Sequence, residues 1–358
     1  LKDYQQELKF LVPFLESKAK SNNFCDTDVI KYIALGNISK LNYAKIVNHI
    51  IKNPSSRSSA LLLQALRQQI TRTPTKDVAV ETIKLFANKD ILLLKVKKNS
   101  ILSNVMINHE GNNMEVREEI ARFINAIASF QVGRSYLVKI YHGQDFIYQL
   151  VNGLKSRRIN GHSADHAISA LQKLSVKSNA QKELFQNGMI DWLVVELHNI
   201  RQSKTFIEFG TALLLNLCLV SSSQSAILRV NCEITSLMSS LLELQNSHLN
   251  VYIYHLLFVI FQFRKVRQNS IENGFLEILE KQKNGILSYQ EQCVLTFLEC
   301  CLNEGEFCVY KIFKYQDKFK KKQDLDFDTI FRFIQMYESM DQHFLPFCHI
   351  FHWILLKK

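Results

Sequence analysis

Histidine and cysteine are the residues most able to do chemistry in this chain, so their spacing decides which reactions are open to it. His162 and His166 stand four apart, a spacing that can present two imidazoles to zinc from one helix face. A zinc protease needs glutamate directly after the first histidine as its base, and Ser163 stands there. The pair reads as surface histidines at a helix start. Cys293, Cys300, Cys301 and Cys308 form a cluster without paired C-x2-C elements, so they read as small apolar packing residues. Cys348, His349 and His352 beside Trp353 read as part of a half-buried C-terminal helix. No GxxxxGK[ST], GxGxxG or GxSxG motif occurs, so neither a nucleotide cradle nor a serine hydrolase elbow is encoded. The expectation is a non-enzyme with no cofactor, no metal and no small-molecule substrate.

Charge is the other chemical resource. Lys and Arg number 44 against 33 Asp and Glu, a net charge of +11. That favours an acidic partner: tubulin tails, an anionic membrane or, ranked last, nucleic acid. The basic residues cluster as Lys95, Lys97, Lys98; Lys155, Arg157, Arg158; Arg264, Lys265, Arg267; and Lys318, Lys320, Lys321, Lys322. Each run alone reads as a solvated helix end, since cations suit helix C-termini. Two of them, Lys155–Arg158 and Arg264–Arg267, follow helices of the repeat region described below, and would form a basic ridge if they align. The three last runs, together with Lys173, are the candidate partner-binding residues.

The elements that position these residues recur. ARFINAIASF (121–130), AISALQKLSV (167–176), TALLLNLCLV (211–220) and YHLLFVIFQF (254–263) share apolar residues three and four apart, the mark of a buried helix stripe. In register, Ala126, Lys173, Asn216 and Val259 align with steps of 47, 43 and 43, and Cys300 continues 41 residues on. A second landmark runs parallel: Gly143, Gly188 and Gly274 precede apolar helices, with Cys232 in the same slot, at steps of 45, 44 and 42. Glycine there provides a positive-φ corner. Two landmarks of one period predict an all-α armadillo or HEAT-type right-handed helical solenoid. Only 11 Gly and 4 Pro fit that class.

The organisation expected is a helical N-terminal extension over 1–113, armadillo repeats over 114–303 and a helical C-terminal cap or extension over 304–358. Helices are predicted over 1–20, 26–36, 41–52 and 58–71, the last ended by Pro74. Two short helices are predicted within 78–94. Capping boxes are read at Thr205-x-x-Glu208 and Ser288-x-x-Glu291. Leu171, Leu174, Leu214, Leu217 and Trp192 are predicted to be buried. Beyond about 304 the period is lost, and 311–323, 326–340 and 345–358 are further helix candidates.

Cysteines in apolar helical contexts point to a reducing compartment. No signal peptide is visible, and the apolar stretch 251–263 is too short to span a bilayer, so no membrane insertion is expected. The chain begins at Leu1 rather than Met and is expected to be a segment of a longer protein.

Four segments, in order, carry a family resemblance: LLLQALRQQITRTPTK (61–76), ARFINAIASFQVGRSYL (121–137), SALQKLSVKSNAQKELFQNGMIDWLV (169–194) and IEFGTALLLNLCL (207–219). From about 41 to about 302 the chain resembles the LisH-domain armadillo-repeat ciliary proteins. The resemblance implies a non-enzymatic scaffold of the cilium, basal body and ciliary tip, within the cytoplasm and cytoskeleton. It implies tubulin or axonemal microtubules, TOG-domain microtubule regulators and other ciliary proteins as partners, with a role in axonemal length and stability. The chain departs from the family in having no LisH motif and in its Phe- and Lys-rich region after 304.

Two other armadillo functions are read beside it. One is a general cytosolic adaptor for an acidic peptide or protein segment. The other is nuclear-import-type peptide capture, which needs asparagine at the register position in successive repeats and tryptophan one turn earlier. Here only Asn216 meets the first requirement, and Ser169 and Ala212 stand in place of tryptophan.

Overall fold

The computed structural model describes residues 41–95, 114–139, 146–199, 201–285 and 289–304. Among them there are helices and turns and no β-strand. In chain order the α-helices are α1 (Tyr43–Lys52), α2 (Arg57–Thr71), α3 (Lys76–Asn88), α4 (Met114–Ala128), α5 (Gln131–Leu137), α6 (Phe146–Lys155), α7 (Gly161–Leu174), α8 (Ser178–Gln186), α9 (Met189–Leu197), α10 (Lys204–Cys218), α11 (Gln224–Arg229), α12 (Asn231–Leu242), α13 (Ser247–Ile260), α14 (Arg264–Glu272), α15 (Phe275–Lys283) and α16 (Tyr289–Glu304). From α5 onward a short helix, a middle helix and a long helix follow one another four times. The four stripes of the sequence pattern fall on the long helices α4, α7, α10 and α13.

The chain forms two compact units, which divide between Asn187 and Gly188. In the first, α2, α4 and α7 pack side by side. Val116, Ile120, Phe123 and Ile127 of α4 are fully buried between these neighbours. Phe86 of α3 meets Tyr43 of α1 and Phe123 of α4 edge to face, at centroid distances of 5.9 and 5.7 Å. Stacking therefore extends N-terminal to residue 114, because α2 is already a layer against α4. In the second unit, α10 packs on α13 and α13 on α16. Phe258 stacks on Phe297 there, and Phe261 meets Phe275 edge to face, both at 5.7 Å. Leu171, Leu174, Leu214 and Leu217 are buried as the stripe predicts. Trp192 is not; it is half-buried, with one edge against Phe206 at 6.3 Å.

Local signals account for several helix starts. Ser56, Thr75 and Ser203 accept a backbone N–H from three residues on, at Ser59, Val78 and Phe206. Ser203 displaces the predicted box at Thr205: α10 starts two residues earlier, so Thr205 lies inside its first turn. Ser288 lies outside the described residues. Gly188 and Gly274 hold left-handed φ of 59° and 72° at the starts of α9 and α15, as the landmark requires. The corner between them departs from the prediction. Cys232 lies within α12, and the residue before that helix, Val230, has φ −99°, so no glycine is needed. Gly143 and the helices predicted over 1–20, 26–36 and beyond 304 lie outside the described residues.

The pair of short helices predicted in 78–94 is replaced by one helix and a tied turn. α3 ends at Asn88, and Asp90 and Leu93 take positive φ of 49° and 52°. The turn is organised by the buried Asp90 carboxylate. It accepts the Leu94 and Lys95 N–H groups at 3.0 and 2.9 Å and the Tyr136 hydroxyl at 2.9 Å. That hydroxyl in turn accepts the Leu92 N–H at 3.1 Å. Aspartate tolerates the left-handed region better than most residues, and three donors on one carboxylate compensate its burial.

Two stability outcomes follow. Leu214→Ala empties a fully buried site and is expected to cost ~2–5 kcal/mol in chemical denaturation; a loss below ~0.5 kcal/mol would contradict the packing described. Tyr136→Phe removes a donor from Asp90 and an acceptor from Leu92. It should cost ~1–3 kcal/mol, whereas an unchanged melting curve would mean the turn is held by other contacts.

Candidate partner-binding groove

The long helices of the first unit bury their apolar stripes against each other and leave their polar residues in a row on one side. Arg67 and Thr71 come from α2. Arg122, Asn125, Ala126 and Ser129 come from α4 and the residue after it, and His166 and Lys173 come from α7. Together they line an open groove of about 320 Å³. The sequence register placed Ala126 and Lys173 on this face. It did not single out Arg67, Arg122, Asn125 or Ser129, whose meeting depends on how α2, α4 and α7 stack.

A chain of polar contacts runs across the groove. Glu119, buried, accepts Arg67 Nε at 3.2 Å and Arg122 Nη1 at 2.6 Å, which ties α2 to α4. Arg122 also pairs with Glu118 one turn away. Its Nε lies 3.4 Å from His166 Nε2 on α7. The other ring nitrogen, Nδ1, lies 3.4 Å from Asn125 Nδ2. The Asn125 carbonyl oxygen Oδ1 accepts Lys173 Nζ at 2.6 Å and Ser169 Oγ at 3.2 Å, and these contacts fix which way the amide points. Lys173 Nζ also donates to Ser129 Oγ at 2.9 Å.

Lys173 is thus a cation at the C-terminal end of α4, a position the helix dipole favours. Burial, and the nearby Arg134 charge after it, hold its pKa below the usual lysine range. Burial likewise lowers His166, with Arg122 as the next cause, and Asp165 and Glu118 opposing. His166 is therefore no plain surface residue. His162 is exposed and sits 3.4 Å from Asp165, while His166 turns toward α4, so the two imidazoles do not share one ligand face.

The basic runs occupy different positions in their repeats. Lys155, Arg157 and Arg158 lie exposed at the end of α6 and in the loop after it, where Arg157 has a positive φ of 58°. Lys155 donates to the Asn187 carbonyl. Arg264, Lys265 and Arg267 instead open α14, so they lie at a helix N-terminus rather than at the C-terminal end the sequence reading favoured. Arg264 and Lys265 are exposed, but Arg267 donates to the Phe261 and Gln262 carbonyls at 2.6 and 3.0 Å, and so caps α13. Arg134 does the same for α4 through Ala128 and Ser129, at 3.1 and 3.2 Å. Both arginines stand four residues after a Phe that precedes the short helix, a signal readable as FQVGR and FRKVR. Asn216 is buried. Lys97, Lys98, Lys318, Lys320, Lys321 and Lys322 lie outside the described residues.

Among the described residues no three His, Cys, Asp or Glu side chains converge as metal ligands. Cys293 and Cys301 are buried in α16, Cys300 is half-buried, and Cys308 lies outside the described residues. No described helix is long and apolar enough to cross a membrane.

Solved structures with the same fold are armadillo repeat proteins. A computationally designed armadillo protein for modular peptide recognition superposes with a TM-score of 0.55 at 17% identity, over 73% of this chain and 98% of the design. A designed armadillo protein in complex with the peptide (KR)4 gives 0.52 at 16%, over 72% of this chain and 98% of the design. The family model of the ARM repeats of LisH domain-containing protein ARMC9 matches residues 184–299. LisH domain-containing protein ARMC9 of Danio rerio is 28% identical over 262 residues, which is 72% of this chain and 31% of that protein. The Homo sapiens protein of that name is 29% identical over 244 residues, 68% of this chain and 29% of that protein. The chain therefore spans less than a third of the length of these relatives. The repeat period, the order of short, middle and long helices, and the sequence match agree, and over its ARM repeats the chain is similar to the LisH domain-containing ARMC9 proteins.

Proposed function

We propose that this helical-repeat protein-interaction scaffold works without catalysis at the basal body and cilium, the ciliary tip included. There it holds microtubule-associated partners and helps set axonemal microtubule length and stability. The observation that carries this reading is the match of residues 184–299 to the ARM repeats of one family. Tubulin and TOG-domain microtubule regulators are the proposed partners, beside other ciliary proteins. The physical support is a surplus of 11 positive charges on a chain whose exposed cations include Lys155, Arg157, Arg158, Arg264 and Lys265. Glutamate-rich tubulin tails complement such a surface, and attraction of this kind acts over about a Debye length, ~8 Å at physiological salt. Lys173 adds a half-buried cation inside the groove.

A second reading, a cytosolic adaptor for an acidic segment, is favoured by that groove alone. The (KR)4 complex shows a designed armadillo protein beside a basic peptide. Here three cations, Arg67, Arg122 and Lys173, face two carboxylates, Glu118 and Glu119, so the groove suits the opposite charge.

Location separates the two readings. A tagged protein is expected at basal bodies and ciliary tips of a ciliated cell, and a uniform cytosolic signal from folded protein would favour the adaptor. Direct, charge-driven tubulin binding predicts that co-sedimentation falls in 300 mM salt (roughly double physiological strength) and after subtilisin removes the tubulin tails. If neither treatment matters, the link to microtubules runs through a TOG-domain partner. Reversing Arg157 and Arg158, or Arg264 and Lys265, should weaken partner binding more than ~10-fold, about 1.4 kcal/mol, while Asn216→Ala should stay within about twofold, ~0.4 kcal/mol. The reverse ranking would point to peptide capture through asparagine. Arg267 is left out of the reversal because it caps α13.

A further inference from the structure

The groove of the first unit has more hydrogen-bond donors than acceptors, and the shortage centres on His166. Each of its two ring nitrogens faces a donor: Nε2 faces Arg122 Nε, and Nδ1 faces Asn125 Nδ2. Rotating the Asn125 amide does not resolve this, because Oδ1 is held by Lys173 and Ser169. A neutral imidazole accepts at one nitrogen only and carries a proton on the other. Either tautomer therefore sets an N–H against a donor, and protonation sets two. Lys173 adds an ammonium whose partners are neutral oxygens of Asn125 and Ser129. No carboxylate pairs with it among the described residues.

An anion is the species that relieves this arrangement. We propose that the groove between α2, α4 and α7 is a carboxylate site for a glutamate- or aspartate-rich segment of a partner protein, with Lys173 as the charge contact and His166 as the hydrogen-bond donor. Arg122, Asn125, His166 and Lys173 are half-buried rather than sealed, and Thr71 and Ser129 on the rim are exposed, so an extended acidic strand can reach them. A cation held in place by neutral oxygens keeps its charge for a ligand, whereas Arg67 and Arg122 already share Glu118 and Glu119. The site deepens the scaffold reading by naming the ligand class, but it rests on the groove and not on where the protein resides. Octaglutamate binding and ciliary location can therefore fail separately.

The test uses the full chain and fluorescein-labelled octaglutamate at low salt, read by anisotropy, with octalysine and octaglutamine as controls. Octaglutamate alone should bind. Lys173→Met should weaken it at least tenfold, and Lys173→Arg should recover binding to within about threefold of the natural chain, which a purely structural loss would not do. Arg201→Glu with Lys204→Glu, exposed in the other unit, should change it less than about threefold. In NMR, saturating octaglutamate should raise the His166 pKa, since an added carboxylate favours the imidazolium over the burial and the Arg122 and Arg67 charges that disfavour it. Equal losses from Lys173→Met and from the distant double reversal would mean diffuse attraction and overturn the site. So would binding that is unmoved by Lys173→Met, or a His166 titration that ignores the peptide. Selective binding of a phosphoserine peptide with no response to octaglutamate would likewise overturn the carboxylate assignment.

Discussion

A helix of fourteen or fifteen residues with a wide apolar stripe cannot cover that stripe by itself, and helices of this length are marginal in water when alone. α4, α7, α10 and α13 are such helices. In the first unit α4 is covered by α2 on one side and α7 on the other; in the second, α10 is covered by α13 and α13 by α16. The repeat period is the chain length needed to leave one long helix, pass through a short and a middle helix and reach the next. That length is met by different means. Gly188 and Gly274 turn a corner at positive φ, Val230 turns the equivalent one without it, and Asp90 turns another by collecting donors. The burial is what repeats, and the corner chemistry is free to vary around it.

The same geometry explains where much of the positive charge is engaged. Each long helix ends in carbonyls without intrahelical partners and a partial negative charge. α4 meets this with Arg134 and Lys173, and α13 with Arg267. These cations come from later in the chain and fasten one helix end to the next element. The net charge of the sequence therefore overstates what is available to a partner. Arg267 belongs to the corner, while its neighbours Arg264 and Lys265 face solvent.

Features set by periodicity were legible in the sequence; features set by contacts across the repeats were not. The stripe placed Leu171, Leu174, Leu214 and Leu217 in the core because burial recurs with the helix period. It misjudged Trp192, since a ring on a short helix can rest one edge on Phe206 and leave the other open. It extended helix past Asn88 because nothing local reveals that Asp90 will meet Tyr136, 46 residues later. The cap of α10 was misplaced by two residues, since Ser203 and Thr205 are equally suitable by type and only the backbone decides between them. The groove was half legible. Lys173 stood out at the register position, but Arg67, Arg122 and His166 lie on three helices, and no local spacing announces their meeting.

The groove also shows how a binding face and a stable fold pull against each other. Lys173 and His166 both have pKa values lowered first by burial. A base with a folded pKa below its unfolded value contributes stability above the unfolded pKa and loses it as pH falls through the folded one. For His166 that window opens just below the ordinary value of 6.5, so the groove favours the neutral ring at physiological pH. For Lys173 the window lies below 10.5, so at neutral pH its charged form is a cost to the folded state. An anion in the groove acts on both groups with the opposite sign. It favours the ammonium and supplies an acceptor to the imidazole, and whatever binds only the folded chain stabilises it by mass action. Occupation of the groove and stability of the α2–α4–α7 stack are then one linked equilibrium, in which the strain around His166 is relieved by the ligand that uses it.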